Sequence, residues 1–252
     1  MSGQKLGQHF LRSPGVLERI AKAACGEHAP FVVEIGPGRG ALTEHLLRHA
    51  DRVVAIELDR ELSDHLKERW RDDERLVVFE GNALDMEWSR WGAGVLAGNL
   101  PYYVSTPIIS KYTQSPGLLS SAVFLVQKEV AERITARPGT REYGYFSVEC
   151  QLLAKVEILF SVPPGAFRPP PKVDSAVIRL TPIPNTFSID RKSFLKFVSA
   201  CFRQKRKMLR NNLLALYSPE QIESMPDLNR RAEQLSVKEF VGLFRNLAPQ
   251  QK

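Results

Sequence analysis

Short apolar runs separated by amphipathic stretches recur along residues 1–184. Seven runs, rich in β-branched and aromatic residues, have the length of strands: Phe31–Ile35, Arg52–Glu57, Arg75–Phe79, Val95–Asn99, Ser121–Val126, Lys155–Phe160 and Ala176–Leu180. Helical patterns lie between most of them, including Leu42–His49, Arg60–Arg71 and Gln127–Ala136. Apolar strands alternating with helices predict an α/β fold with a largely parallel sheet. The last two strands flank a proline-rich loop, Pro163–Pro171, which predicts an antiparallel pair at one edge.

The carboxyl-terminal part follows a helical pattern. Thr181–Asn185 contains two prolines and predicts a linker. Beyond it, the pattern predicts one helix over Arg191–Tyr217 and two or three shorter helices over Pro219–Asn246. The sequence therefore predicts two domains, residues 1–184 and a small helical domain of residues 185–252.

The net charge of +7 is unevenly placed. Residues 1–184 carry 22 basic and 22 acidic side chains, whereas residues 185–252 carry 13 basic and 6 acidic ones. A basic domain attached to a neutral one indicates a polyanionic partner.

The composition, 43% hydrophobic and 25% charged, is that of an ordinary globular protein. No apolar run reaches the roughly 18 residues that span a bilayer, and Met1–Leu11 lacks the features of a signal or transit peptide. These features predict a cytoplasmic location and no membrane partner. Cys25, Cys150 and Cys201 have no metal-ligand spacing, which predicts reduced buried thiols and no metal.

A glycine loop, Glu34-Ile-Gly-Pro-Gly-Arg-Gly40, follows the first strand and opens a helix. Glycines there let a ligand lie against the backbone at a helix start. The G-x-G-x-G spacing, with Gly36 and Gly38, is not that of dinucleotide binders, and a plain turn is the alternative. Glu57 ends the second strand, where a carboxylate can bind ribose hydroxyls; a solvated strand end is the alternative. Together the two features favour a nucleoside cofactor.

Gly98-Asn99-Leu-Pro-Tyr102 ends the fourth strand, at the edge where α/β sheets bind ligands. An adenine amine is a poor nucleophile because its lone pair is delocalised into the ring. The Asn99 side-chain oxygen and a backbone carbonyl can accept its two N–H bonds and favour a pyramidal nitrogen, while Tyr102 offers a face for stacking. Because asparagine and proline also favour ordinary strand-to-turn junctions, both interpretations stay open on these residues alone.

Six stretches together resemble the ribosomal RNA small-subunit adenine N6,N6-dimethyltransferase family (KsgA type), nearly from end to end. The glycine loop is shared by many methyltransferases, whereas the last three stretches are more specific. The six are Lys5–Leu11, Val33–Gly38, Asn99–Pro107, Val126–Arg133, Phe167–Ser175 and Phe202–Leu213.

The resemblance implies a Rossmann-like class I methyltransferase sheet that binds S-adenosylmethionine. The implied cofactor-binding residues are His9, Leu11, Gly36, Gly38, Glu57, Asn82 and Asn99. The implied catalytic residues, which hold the target adenine, are Asn99, Leu100, Pro101, Tyr102 and Phe167. Phe167 is expected to stack on the base. The alternative is that its side chain only fills space at the edge of the domain.

The implied substrate is small-subunit ribosomal RNA, in a small subunit or its precursor, and the implied products are two adjacent dimethylated adenosines near its 3′ end. We expect a monomer. One alternative is a related enzyme that methylates large-subunit RNA. Another is a non-catalytic assembly or transcription factor with this fold, which the intact Asn-Leu-Pro-Tyr motif disfavours.

The sequence departs from the family pattern in two places, at Asn82 and at the pair Tyr145-Phe146. Asn82 stands where the family often has an aspartate that contacts the cofactor's adenine amine, and asparagine is a neutral, weaker acceptor. Tyr145 and Phe146 replace a more frequent Arg-Leu pair, which puts one expected RNA contact in doubt.

The predicted helix over Arg191–Tyr217 contains no carboxylate. On a helical wheel the cations Arg206, Lys207 and Arg210 fall within about 60° of Arg203, opposite the apolar residues. A solvated face is the usual interpretation of such a run, but the absence of acidic partners favours contact with an RNA backbone.

Overall fold

The computed structural model describes residues 9–184, 187–223, 225 and 228–247. Strands and helices alternate along its first part, as predicted. The strands are β1 Phe10–Leu11, β2 Val32–Ile35, β3 Val53–Glu57, β4 Leu76–Glu80, β5 Gly94–Asn99, β6 Leu119–Gln127, β7 Ala154–Val162, β8 Phe167–Arg168 and β9 Ser175–Pro182. The α-helices are α1 Pro14–Cys25, α2 Ala41–His49, α3 Arg60–Arg69, α4 Ser105–Gln114, α5 Lys128–Thr135, α6 Tyr145–Leu153, α7 Arg191–Cys201, α8 Leu209–Leu213, α9 Pro219–Glu223 and α10 Val237–Leu247.

The seven predicted strands form one sheet in the order β4-β3-β2-β5-β6-β9-β7. The pairs from β4 to β6 are parallel, and β9 runs antiparallel to β6. From β2, the chain adds strands first on one side and then on the other. This order creates a switch point between β2 and β5, and the carboxyl ends of those strands flank a crevice where α/β folds bind ligands.

The central strands form because their apolar runs can be buried on both faces of the sheet. Val53, Val54, Ala55 and Ile56 of β3 are all buried. Helix α1, which is not among the predicted helices, begins at Pro14 and packs its apolar face into the same core.

The chain divides into two compact units, and the boundary differs from the prediction. The first contains residues 1–131 and 155–182, and the second contains residues 132–154 and 183–252. Residues 132–154 belong to the second unit because α6 buries its apolar side chains there. Its core contains Tyr143, Val148 and Leu152 together with side chains of α7, α8 and α10.

The single helix predicted over Arg191–Tyr217 is wrong. Helix α7 ends at Cys201, residues 202–207 form a turn, and the short helix α8 follows. Asn212, which is 4% exposed, holds this turn. Its amide donates to the carbonyls of Cys201 (2.8 Å) and Gln204 (3.3 Å) and accepts from the Gln204 N–H (3.2 Å). These bonds satisfy the groups that a continuous helix would otherwise pair.

No helix in the described ranges is long and apolar enough to cross a membrane. The three cysteines are buried free thiols, as predicted. Burial raises their pKa values, that of Cys25 to about 12, so the thiols stay protonated near neutral pH.

Candidate active site

The glycine loop and the Asn99 segment lie side by side at the switch point of the sheet. Strands β2 and β5 approach so closely that a Cβ on Gly98 would lie 2.6 Å from the Ile35 carbonyl oxygen. A Cβ on Gly36 would lie 3.8 Å from Pro101 Cδ and 4.0 Å from the Asn99 carbonyl oxygen. The predicted cofactor loop and the predicted catalytic motif therefore border one crevice.

The glycine loop has a backbone that other residues rarely adopt. Gly36 has a φ of 66° and Gly38 a φ of 59°, both in the left-handed region. The loop leads directly into the first turn of α2, which begins at Ala41. Backbone N–H groups at a helix start are suited to a polar ligand.

Glu57, the last residue of β3, is buried against this loop and is not a solvated strand end. Its side chain is 6% exposed. One carboxylate oxygen accepts from the Gly38 N–H and the other from the Asp59 N–H, each at 2.9 Å. A carboxylate has about four acceptor positions, so both oxygens retain capacity to accept from ribose hydroxyls.

Glu34 is a second buried carboxyl beside the loop, and the sequence pattern alone assigns it no role. It is 1% exposed and accepts from the Thr43 hydroxyl at 2.6 Å. Burial, reinforced by the nearby Glu57 charge, raises the pKa of Glu34 to about 8. Glu34 is thus a protonated acid near neutral pH, and its hydrogen bond with Thr43 joins β2 to α2. The sequence feature that could have indicated this role is an acidic residue within the apolar run Val-Val-Glu-Ile.

Glu34→Gln should flatten the pH dependence of the free energy of unfolding between pH 4.5 and 8. The unfolded Glu34 ionises above its ordinary pKa of 4.5, whereas the folded one stays protonated up to a pKa of about 8. In this window unfolding releases a proton, so stability falls with rising pH by at most about 1.4 kcal/mol per pH unit. The glutamine amide would keep an acceptor for Thr43 without titrating. Denaturant unfolding of the wild type and of Glu34→Gln at pH 5, 6, 7 and 8 gives the slope of the free energy of unfolding against pH for each protein. Identical slopes in the two proteins would contradict a buried protonated Glu34.

The Asn99 motif borders the crevice beside Gly36. Within the described part of the chain, the half-buried Asn99 amide has no protein hydrogen-bond partner. The Pro101 carbonyl accepts from the Val104 N–H at 3.0 Å, while the Leu100 N–H donates to the Leu125 carbonyl at 3.1 Å. Since the Pro101 carbonyl is engaged in the turn, the Leu100 carbonyl is the better candidate for the second acceptor.

Tyr102 is held in place from several sides. Its hydroxyl lies 3.1 Å from the Ser175 hydroxyl, and its carbonyl accepts from the Ser105 hydroxyl at 3.0 Å. The His9 ring lies 5.8 Å from the Tyr102 ring, and His9 Nδ1 is 2.8 Å from the Pro169 carbonyl. The amino-terminal, catalytic and proline-rich stretches thus meet here, although residues 5–8 of the first stretch lie outside the described residues.

Leu11 and Phe167 face a different environment from the one implied by the resemblance. They pair across the small sheet of β1 and β8, and both are 3% exposed in the core of the first unit. The structure therefore gives Phe167 a packing role. Stacking of Phe167 on the target base and contact of Leu11 with the cofactor stay predictions.

Phe167→Leu distinguishes stacking from packing. If Phe167 stacks on the adenine, the methylation rate should fall by up to about 5- to 150-fold, since aromatic–base stacking contributes about 1–3 kcal/mol. The variant should stay folded but unfold at a somewhat lower temperature, because leucine leaves part of the buried ring's volume empty. A wild-type rate at saturating RNA would leave Phe167 as a packing residue alone.

Asn82 lies at the same edge of the sheet, two residues beyond the end of β4. Its side-chain oxygen accepts from the Leu84 N–H at 3.0 Å and caps the short helical turn Ala83–Asp85. The neutral acceptor expected at this position is therefore present and half-buried.

The four predicted RNA-binding cations are exposed, but they do not form a ridge on one helix face. Arg203, Arg206 and Lys207 lie on the turn of residues 202–207, and Arg210 lies in α8. We call these four residues the basic turn. Lys205, on the same turn, is also exposed and donates to the Arg141 carbonyl at 2.6 Å.

Tyr145 and Phe146, which depart from the family pattern, begin α6 in the second unit. Phe146 is buried and Tyr145 is half-buried against the core of that unit. Neither side chain carries the guanidinium group of the Arg-Leu pair that is more frequent in the family.

The chain is similar in sequence to known proteins along nearly its whole length. The profile of a family described as ribosomal RNA adenine dimethylase matches residues 2–248. A ribosomal RNA small subunit methyltransferase A from Acidobacterium capsulatum is 44% identical over 96% of this chain and 90% of its own length. The protein of the same name from Pseudomonas aeruginosa is 41% identical over 97% of this chain and 94% of its own.

Two solved structures have a similar fold. A dimethyladenosine transferase from Plasmodium falciparum superposes with a TM-score of 0.80 at 28% identity, over 94% of this chain and 96% of that one. The 23S rRNA methyltransferase ErmE superposes with a TM-score of 0.73 at 26% identity, over 95% and 100% of the two chains. The predicted class I methyltransferase fold is therefore confirmed.

Proposed function

The chain belongs to the ribosomal RNA adenine dimethylase family and is thus a methyltransferase that uses S-adenosylmethionine, and we propose that it dimethylates the N6 amines of two adjacent adenosines near the 3′ end of small-subunit ribosomal RNA. The observation that carries this proposal is the half-buried Asn99 amide beside the glycine loop. Relatives that are 36–44% identical are named small-subunit methyltransferases, which supports the choice of RNA. Action as a monomer in the cytoplasm is part of the same proposal.

In the proposed mechanism, the protein positions the target amine and favours its reactive geometry. The Asn99 side-chain oxygen and the Leu100 carbonyl accept its two N–H bonds, which draws the nitrogen lone pair out of conjugation. Tyr102 stacks on the base, held by Ser175. S-adenosylmethionine, when bound, supplies an electrophilic methyl group. Because the amine's proton can leave to water after transfer, positioning is the main contribution of the protein.

The residues around the glycine loop fit a nucleoside cofactor. Gly36 and Gly38 have no side chain to cover the loop, and Glu57 retains acceptor capacity for ribose hydroxyls. Asn82 lies beyond β4, the neighbour of β3, where its oxygen can accept from a base amine. His9 lies against Tyr102 at the other side of the site.

Glu57→Gln should weaken cofactor binding with little effect on RNA binding. The glutamine amide would offer one acceptor oxygen instead of two, so either the Gly38 or the Asp59 N–H group loses its acceptor. The ribose hydroxyls also lose a negatively charged acceptor. A hydrogen bond to a charged group contributes about 1.5–3 kcal/mol, which corresponds to roughly 10- to 150-fold in affinity. Calorimetric titration with S-adenosylhomocysteine checks this, and unchanged affinity would remove Glu57 from the pocket.

We place the RNA backbone on the basic turn. Its cations are exposed, and two of them, Arg206 and Lys207, line an open depression of about 570 Å³ together with Gln204 and Lys205. A neighbouring depression of the same unit adds Arg141 and Arg231. Flexible exposed cations at this density are suited to phosphate contacts, which position an RNA without reading its sequence.

The test is methyl transfer from labelled S-adenosylmethionine to separated ribosomal subunits. We expect label in small subunits, on two adjacent adenosines, with up to four methyl groups per subunit. The similarity to ErmE makes the large subunit the second candidate, so large subunits form the parallel sample. Label in large subunits alone would overturn the choice of RNA, and absence of label in both would favour a non-catalytic binding protein.

A further inference from the structure

The amide of Asn82 is engaged at both ends. Its oxygen Oδ1 accepts from the Leu84 N–H at 3.0 Å, and its nitrogen Nδ2 donates to a carboxylate oxygen of Asp85 at 3.0 Å. An amide oxygen has two lone pairs. Oδ1 can therefore accept one further hydrogen bond from a ligand while both intramolecular bonds remain.

The backbone of the same turn is fixed from outside. The Lys111 ammonium, on α4, donates to the carbonyls of Leu84 and Met86 at 2.6 Å and contacts that of Ala83 at 3.3 Å. The Trp88 indole N–H also donates to the Ala83 carbonyl, at 2.9 Å. Because the backbone of the turn is held, the orientation of the Asn82 amide depends on rotation of its side chain.

Asp85 and Leu84 both oppose a half-turn of that amide. Rotation would place the amide NH₂ against the Leu84 N–H and the amide oxygen against the Asp85 carboxylate, two contacts between like partial charges. An ionised carboxylate accepts hydrogen bonds but cannot donate them. The pair of neighbours thus selects one of two orientations that are sterically almost identical.

We propose that Asp85 determines the base specificity of the cofactor pocket by holding the Asn82 oxygen toward the purine. In this orientation Asn82 accepts from a 6-amino group. A purine with a 6-carbonyl would place its carbonyl oxygen against the Asn82 oxygen. Two acceptors would then face each other without a donor, which disfavours binding. The inference rests on the proposed cofactor pocket. It explains how a neutral asparagine distinguishes an amine from a carbonyl, although an asparagine that rotates freely could bind either.

The experiment measures the affinities of S-adenosylhomocysteine and S-inosylhomocysteine by calorimetry, because these ligands differ at the 6-position. Asp85→Asn keeps the shape but can donate or accept, so only the Leu84 N–H still opposes the half-turn of the Asn82 amide. Glu87→Gln is the matched control, since it removes the same charge two residues further along the chain, beyond the turn Ala83–Asp85. In the double variant N82D/D85N, the carboxylate introduced at position 82 can only accept, and the amide introduced at position 85 can donate to it. Circular dichroism and thermal unfolding report whether each variant is folded.

We expect the wild type to prefer the adenine ligand by at least about tenfold, the equivalent of one hydrogen bond of about 1.4 kcal/mol. Asp85→Asn should reduce this ratio by at least about threefold, Glu87→Gln should leave it unchanged, and N82D/D85N should restore it. If Asp85→Asn kept the wild-type ratio of the affinities for the two ligands, the proposal would be overturned. Equal binding of both ligands to the wild type would overturn it while leaving the cofactor pocket intact, whereas binding of neither would overturn both.

Discussion

Asn99→Ala should reduce methyl transfer to small ribosomal subunits by about 100- to 1,000-fold. The substitution removes one of two acceptors whose hydrogen bonds strengthen as the amine becomes pyramidal. By analogy with the loss of one oxyanion-hole donor, this costs about 2.7–4 kcal/mol of transition-state stabilisation. The measurement is the initial rate of transfer from labelled S-adenosylmethionine at saturating cofactor and RNA.

The controls for Asn99→Ala separate catalysis from folding and binding. Asn99 is half-buried, and its side chain has no hydrogen bond to the described part of the protein, so thermal unfolding should change little. The affinity for S-adenosylhomocysteine shows how much of the loss is due to the cofactor, since Asn99 also borders that pocket. A folded variant that retains more than a tenth of the wild-type rate would contradict the catalytic assignment.

Replacing the four cations of the basic turn by glutamine should weaken RNA binding and make it less sensitive to salt. Each cation that neutralises one phosphate contributes about 0.7–0.9 to the slope of log affinity against log salt concentration. Loss of four such contacts should flatten the slope by roughly 3. The four side chains are exposed, and the turn is held by Asn212, which the variant retains. Stability should therefore change little.

The affinity for a small-subunit RNA fragment, measured across a salt series, checks this result. The matched control replaces Lys192, Lys196 and Lys238 by glutamine, because these exposed lysines belong to the same unit but lie outside the turn. Cofactor affinity should be unaffected in both variants. If the slope stays at its wild-type value, or falls as much per replaced cation in the three-lysine control, the basic turn is ordinary solvated surface.

The strands of the sheet follow from the amino-acid sequence alone, because they are specified locally. Each of the seven apolar runs is long enough for a strand and is bounded by polar or turn residues, and all seven are strands in one sheet. The glycine loop and Asn99 were also predictable as neighbours. They follow parallel strands, and the carboxyl ends of parallel strands meet at one edge.

Tertiary packing, in contrast, determines which polar groups become buried and what they bond. Local spacing favours a continuous helix through residue 217, but the buried Asn212 side chain ends it from eleven residues away. Glu34 and Thr43 are nine residues apart and on different elements, so their bond and the raised pKa of Glu34 follow from packing. The same holds for Phe167, which lies in a proline-rich loop but is covered by the core. Hydrophobic periodicity records which face of an element is apolar, whereas the partners of a single polar or aromatic side chain depend on contacts between distant segments.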